Sequence, residues 1–139
     1  MNFTFLPLGT TGFCHTPPDL DMAVRIMVNA KTSRPSVCNA AEVCLVHRAV
    51  AADFLPRLRA AVVDKRTARG EVPVELRLDS TAAAIIPGTP AGERDFDTEF
   101  LDYILAVRVV DSLEDAISHI ACHSTGHSEC IVTSDADAA

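Results

Sequence analysis

The chain has 139 residues, 48 % of them hydrophobic and 22 % charged, a balance that builds one globular domain and argues against disorder over most of its length. A net charge of −7 excludes the concentrated basic face that nucleic-acid phosphates require. No apolar run approaches the ~18 residues of a membrane span, and residues 1–12 lack a basic stretch ahead of an apolar one. A soluble cytoplasmic protein is expected, with no nucleic-acid or membrane partner. The five cysteines, Cys14, Cys38, Cys44, Cys122 and Cys130, form no CxxC pair and no regular framework. An odd count in a cytosolic chain points to reduced thiols.

In chain order, residues 1–16 carry little pattern and are closed off by Pro17 and Pro18. Asp19 is placed to cap a helix with the apolar stripe Leu20, Ala23, Val24, Met27 and Val28. That helix should fade near Asn29 and Ala30, because Arg34, preceding Pro35, avoids helical geometry. Residues 35–42 read as a turn entering a short helix, with Pro35 and Ser36 at its start. Residues 43–47 form a buried strand. Asp53 caps a second long helix with Phe54, Leu58, Ala61 and Val62 inward and Pro56 in its first turn. The arginines from 57 to 69 mark its solvated face rather than an anion patch.

Residues 74–78 alternate as a half-exposed strand, with Val74, Leu76 and Leu78 on one side. Residues 82–86 suggest another strand, and 87–94 a Pro/Gly-rich loop. Residues 104–110 make the strongest strand, β-branched and nearly uncharged. Ser112 and Asp115 form a capping box for a helix that turns Leu113, Ala116, Ile117 and Ile120 inward. Gly126 ends that region, residues 130–133 form the last strand, and the tail from Ser134 is polar. Strands alternating with amphipathic helices predict an α/β fold, a largely parallel sheet flanked by helices. No internal repeat is found.

Cys38 falls in the first turn of the expected short helix, where unpaired N–H groups and the dipole favour a thiolate. It reads as a nucleophile there, or else as a buried structural thiol. His119, His123 and His127 recur every four residues among Cys122 and Cys130, inviting a metal site. The break at 124–126 takes His127 off the shared face, so no metal is assigned. Glu99, on the polar approach to the strongest strand, is either a ligand contact or a solvated carboxylate. His127, Ser128 and Glu129 form a compact polar turn that binds an anion or simply reverses the chain.

Three runs narrow these alternatives. Val-Asn-Ala-Lys-Thr-Ser-Arg-Pro-Ser-Val-Cys-Asn-Ala-Ala-Glu at 28–42 closely resembles the nucleophile segment of the gamma-glutamyl phosphate reductase family, in the aldehyde dehydrogenase superfamily. Asp-Phe-Asp-Thr-Glu-Phe-Leu-Asp-Tyr-Ile-Leu-Ala-Val at 95–107 and Gly-His-Ser-Glu at 126–129 resemble two further signatures, in the same order. The resemblance implies an aldehyde-dehydrogenase-like catalytic domain over 19–133, with an altered lead-in at 1–18 and a polar tail at 134–139. Gly12-Phe13-Cys14-His15 resembles a shortened form of the family's Gly-Asn-Cys-His strand.

The same resemblance implies the chemistry: NADPH-dependent reduction of L-glutamyl 5-phosphate to glutamate 5-semialdehyde, through a thioester on Cys38, on the way to proline. Glu99 would approach the nicotinamide ribose, His127, Ser128 and Glu129 would border substrate, and Asn39 would orient it. Arg34 would meet the leaving phosphate or form an ion pair at the helix entry. The family enzyme is much longer, with its cofactor-binding domain mostly ahead of the matched region and a further segment after it. The chain is therefore expected to hold the nucleophile apart from most of the NADPH site, and to self-associate or pair with a full-length relative. A non-catalytic interaction module and a thiol-reactive domain without hydride transfer are the competing readings.

Overall fold

The computed structural model describes residues 10–14 and 19–137. Six strands, β1 (Thr10–Cys14), β2 (Ala41–His47), β3 (Glu75–Leu78), β4 (Thr89–Pro90), β5 (Ile104–Val110) and β6 (Ser128–Val132), join in one sheet. Their order is β4-β3-β5-β2-β1-β6, and every neighbouring pair is parallel. The helices are α1 (Leu20–Thr32), α2 (Arg48–Arg59), α3 (Lys65–Ala68), α4 (Ser80–Ala83) and α5 (Leu113–His123). A π-helical turn at Ala60–Asp64 links α2 and α3 into one rod. This is the expected α/β layer.

Right-handed crossovers decide which helix covers which face. The connections β1–α1–β2 and β2–α2–β3 both move toward the β4 edge, so α1 and α2 share one face. The connection β5–α5–β6 moves the other way and puts α5 on the opposite face. Beneath α1 and α2 lie Ala41, Cys44, Val46, Leu105, Val107 and Val109, packed against Met27, Phe54, Leu55 and Leu58. Beneath α5 lie Val43, Leu45, Ala106 and Val110, packed with Ala116 and bordered by Phe96, Phe100 and Ile120. Strands β2 and β5 are covered on both sides, which is why they read as nearly continuous apolar runs. Strand β3 buries one side only, as its alternation predicts.

Several sequence expectations are corrected. Residues 35–40 form turns and no helix. The N–H of Ala40 donates to the Val37 carbonyl at 3.0 Å, and β2 begins at the next residue, leaving no length for a helical turn around Cys38. The second helix starts at Arg48, capped by His47 Nδ1 accepting from the Ala49 N–H at 3.1 Å. Asp53 is thus not its cap, and Pro56 lies well inside it. Burial of Val50 and Ala51 draws the helix back to the end of β2 without an intervening loop.

Residues 82–86 are not a strand. Asp79 Oδ1 accepts from the Ala82 N–H at 2.8 Å and Oδ2 from the Val109 N–H at 3.2 Å, closing the short α4 there instead. The edge strand falls later, after Gly88, where a Cβ would come within 2.8 Å of the Leu76 carbonyl oxygen. Ile117 faces solvent, and His119 takes a buried position on α5 in its place. Of the lead-in, Gly12, Phe13 and Cys14 lie in β1, while His15 falls outside the described residues.

Helix α1 runs past its expected end because its inward stripe continues from Ala23 and Met27 to Lys31. The Lys31 side chain is fully buried, and its Nζ donates to Glu42 Oε2 at 3.0 Å. Glu42 sits at a bulge in β2: Thr10 pairs with Ala41 and Thr11 with Val43, skipping Glu42. The extra residue puts Ala41 on the same face as Cys44 and Val46 and leaves Glu42 out of the ladder with β1. Burial lowers the Lys31 ammonium and raises the Glu42 carboxyl, each opposed by the attraction of its partner.

Severing a buried pair leaves one uncompensated charge, so Glu42→Leu alone should cost about 3–5 kcal/mol. Lys31→Met with Glu42→Leu removes both charges and should recover part of that loss, with the Phe100 and Leu101 N–H groups left without their acceptor. Urea titration of the two variants against the wild type checks both values.

Candidate functional site

Because β5, β2, β1 and β6 are parallel neighbours, their first residues share one edge of the sheet. Cys38 lies three residues ahead of β2, Glu99 five ahead of β5, and His127 immediately ahead of β6, whose first two residues are Ser128 and Glu129. At ~4.8 Å between strands, the starts of β2 and β5 are adjacent and that of β6 is about two spacings from β2. Open α/β sheets ordinarily bind ligands at the carboxyl ends of their strands. A polar cleft of about 460 Å³ runs from that end, at Arg108 and Asp111, along α5 to His119 and His123 in its last turns. The sequence candidates gather at the opposite, amino-terminal edge.

Cys38 is exposed in the turn closed by Val37 and Ala40. Without a helix, the expected activation by a helix N-terminus is lost, and any stabilisation of its thiolate must come from other donors. Asn39 is exposed beside it, as is Arg34, which pairs with no carboxylate among the described residues. Cys44, by contrast, is 1 % exposed inside β2.

Glu99 is exposed on a segment anchored at several points. Arg77 Nη1 donates to Asp95 Oδ1 at 3.1 Å, and His123 Nδ1 lies 2.7 Å from Asp97 Oδ1. Beyond Glu99, the N–H groups of Phe100 and Leu101 donate to Glu42 Oε2 and Oε1 at 3.2 and 3.3 Å. Leu101 has φ 51°, the one non-glycine in the left-handed region among the described residues.

On the β6 side, His127 is half-buried and Ser128 buried. The Ser124 hydroxyl donates to Glu129 Oε1 and accepts from the Gly126 N–H. Glu129 therefore ties the exit of α5 to the start of β6, and its oxygen is committed within the protein. Among the described residues no three His, Cys, Asp or Glu side chains are grouped to hold a metal ion.

His119 shows a different chemistry from the edge residues. The Arg108 guanidinium lies 3.1 Å from His119 Nδ1 and can only donate, so Nδ1 accepts and Nε2 carries the hydrogen. That Nε2 is buried without a partner. Burial, then His123 and Arg108, push the imidazole down to about 4.

Lys31 and Glu42 are the residues that sequence reasoning passed over. Their signal was present: a lysine continuing an inward stripe at i+4 after Met27, and a glutamate at the head of an apolar strand. Opposite charges at two buried positions imply a pair.

The gamma-glutamyl phosphate reductase of Streptococcus suis is 60 % identical to the chain over 134 residues, covering 93 % of the chain and 31 % of that protein. That of Streptococcus gordonii is 56 % identical over 133 residues, covering 93 % and 32 %. The chain is related to one segment of the gamma-glutamyl phosphate reductase family. It spans about a third of the length of these relatives. The crystal structure of gamma-glutamyl phosphate reductase from Thermotoga maritima superimposes with TM-score 0.84 at 41 % identity, over 94 % of this chain and 30 % of that one. Lactaldehyde dehydrogenase from Escherichia coli, at 20 % identity, shares the fold with TM-score 0.73 over 96 % of this chain and 36 % of its own. No family model matches the chain.

Two outcomes are expected. Cys38 should react with iodoacetamide faster than Cys44 by at least about 1,000-fold, since Cys44 becomes accessible only in the rare unfolded fraction. Mass spectrometry of timed, quenched samples resolves the two. His119 binds its proton more weakly in the folded state than in the unfolded chain, so its contribution to stability is full above pH 6.5 and lost as pH falls toward 4. Between pH 7 and 4.5 the wild type should lose about 2 kcal/mol more than His119→Gln in urea titrations, at ~1.4 kcal/mol per unit of pKa difference.

Proposed function

We propose that this segment supplies the nucleophile for NADPH-dependent reduction of L-glutamyl 5-phosphate to glutamate 5-semialdehyde, in the cytoplasm. What supports this reading above all is the gathering of Cys38, Glu99 and His127 at one edge, together with 55–60 % identity to reductases of that name. The exposed Cys38 sulfur attacks the acyl carbon of the substrate. The bond from that carbon to the phosphate oxygen breaks, phosphate leaves with the electron pair, and a thioester remains. Asn39 and the His127 bend orient the substrate, backed by Ser128 at the start of β6. The exposed Arg34, four residues ahead of Cys38, is the cation that would meet the departing phosphate. Glu129 supports this bend through Ser124.

NADPH, when bound, supplies the hydride that reduces the thioester. Exposed Glu99 at the same edge is a carboxylate open to a diol, which fits contact with the nicotinamide ribose. The chain's own share of the reaction is then to present Cys38 and Glu99 in fixed relation and to receive the acyl group. Full turnover requires the remaining parts of the family enzyme, whether held in a longer polypeptide or in an associated relative.

The test separates acyl transfer from reduction. p-Nitrophenyl acetate should release a burst of nitrophenolate approaching one equivalent per chain, and the burst should vanish in Cys38→Ala. No burst from folded protein whose Cys38 is alkylated readily would overturn the nucleophile assignment. NADPH oxidation with glutamyl phosphate then distinguishes a reductase from a thiol-reactive domain that stops at the thioester.

A further inference from the structure

We propose that Glu42 is a positioning residue that couples the Cys38 turn to the Glu99 loop, with Lys31 as its buried counter-ion; this rests on the nucleophile reading above. The Lys31–Glu42 contact at 3.0 Å spans eleven positions of sequence and encloses Cys38 between its ends. It closes the segment 32–41 into a short loop between the end of α1 and the bulge in β2, restricting where the sulfur can sit.

The same carboxylate is the anion on which the Glu99 loop folds. Consecutive N–H groups of Phe100 and Leu101 converge on its two oxygens, the arrangement by which a backbone nest holds an anion. Leu101 stays at φ 51° because that convergence requires it; a left-handed leucine persists only where its surroundings over-determine it. Glu99 is the residue immediately before Phe100, and Cys38 is four positions before Glu42. One side chain thus sets both loops, with no polar group of its own at the surface.

Three proteins decide the matter: wild type, Lys31→Met/Glu42→Gln and Lys31→Met/Glu42→Leu. Both double variants lack the buried charges, but only the glutamine keeps a carbonyl oxygen, an acceptor for one of the two amides. Amide exchange by NMR should show Phe100 and Leu101 protected in the wild type and partly protected in the glutamine variant. In the leucine variant they should exchange about 10- to 100-fold faster, as expected for loss of a hydrogen bond to a charged acceptor. The amides of β5 should keep their protection throughout. The p-nitrophenyl acetate burst should slow in the leucine variant and recover with glutamine, at unchanged amplitude.

Equal exchange at 100 and 101 in the two double variants overturns the proposal. So does an unchanged burst rate across all three proteins. If neither variant folds, the wild type decides alone: open-loop exchange at both amides defeats the coupling, and protection of both sustains it. Failure of the nucleophile reading shows instead as an absent burst in wild type with both amides still protected.

Discussion

A buried ion pair, Lys31 with Glu42, ties together three segments at the amino-terminal edge of the sheet. Taking either charge out of water costs several kcal/mol, and mutual attraction offsets this only when the remaining oxygens are also hydrogen-bonded. Here they are, by two backbone N–H groups from a third segment. The two charges by themselves therefore add little to net stability. Their consequence is geometric, because the end of α1, the bulge of β2 and the approach to β5 all meet at one carboxylate.

That geometry follows from steps that can be traced separately. Right-handed crossovers in a parallel sheet bring the starts of β2, β5 and β6 to a common edge. The bulge at Glu42 re-phases β2, so that Ala41 joins the face under α1 and α2 while Val43 and Leu45 face α5. A one-residue slip in this strand would exchange its two apolar faces. The bulge thus fixes the register and, in the same stroke, makes a place for a charged side chain at the head of a buried strand.

Much of this was readable from residues alone. The apolar run at 104–110 is strand β5 at the same limits, and the caps at Asp19 and Ser112 are those seen in the structure. The errors share a cause: each arose where tertiary contacts override local propensity. His47 took over as a cap because β2 passes directly into α2. The apolar stretch around Ala82 turned into α4 because Asp79 also serves β5. Ile117 gave its inward place to His119, which packs edge-on against Phe96 from a distant loop. Around the candidate site, the motifs marked segments just ahead of β2, β5 and β6, yet the carboxylate joining two of them looked like one more charge at a motif boundary.

The absent helix at Cys38 has a deeper reason than lack of room. In a parallel α/β layer each helix runs back against its strands, so its carboxyl end returns to the edge where the next strand begins. Cys38 follows α1, and His127 follows α5. Both edge loops therefore lie near the negative ends of helix dipoles, which disfavour a thiolate or an incoming anion. A basic residue stands in the last turn of each: Lys31 in α1 and His123 in α5. Lys31 is neutralised by Glu42, and His123 is turned toward Asp97. Neither leaves much positive field for Cys38. An anionic sulfur at this edge must consequently draw its stabilisation from hydrogen-bond donors brought up at close range, and the accuracy with which its turn is held matters more than any long-range field.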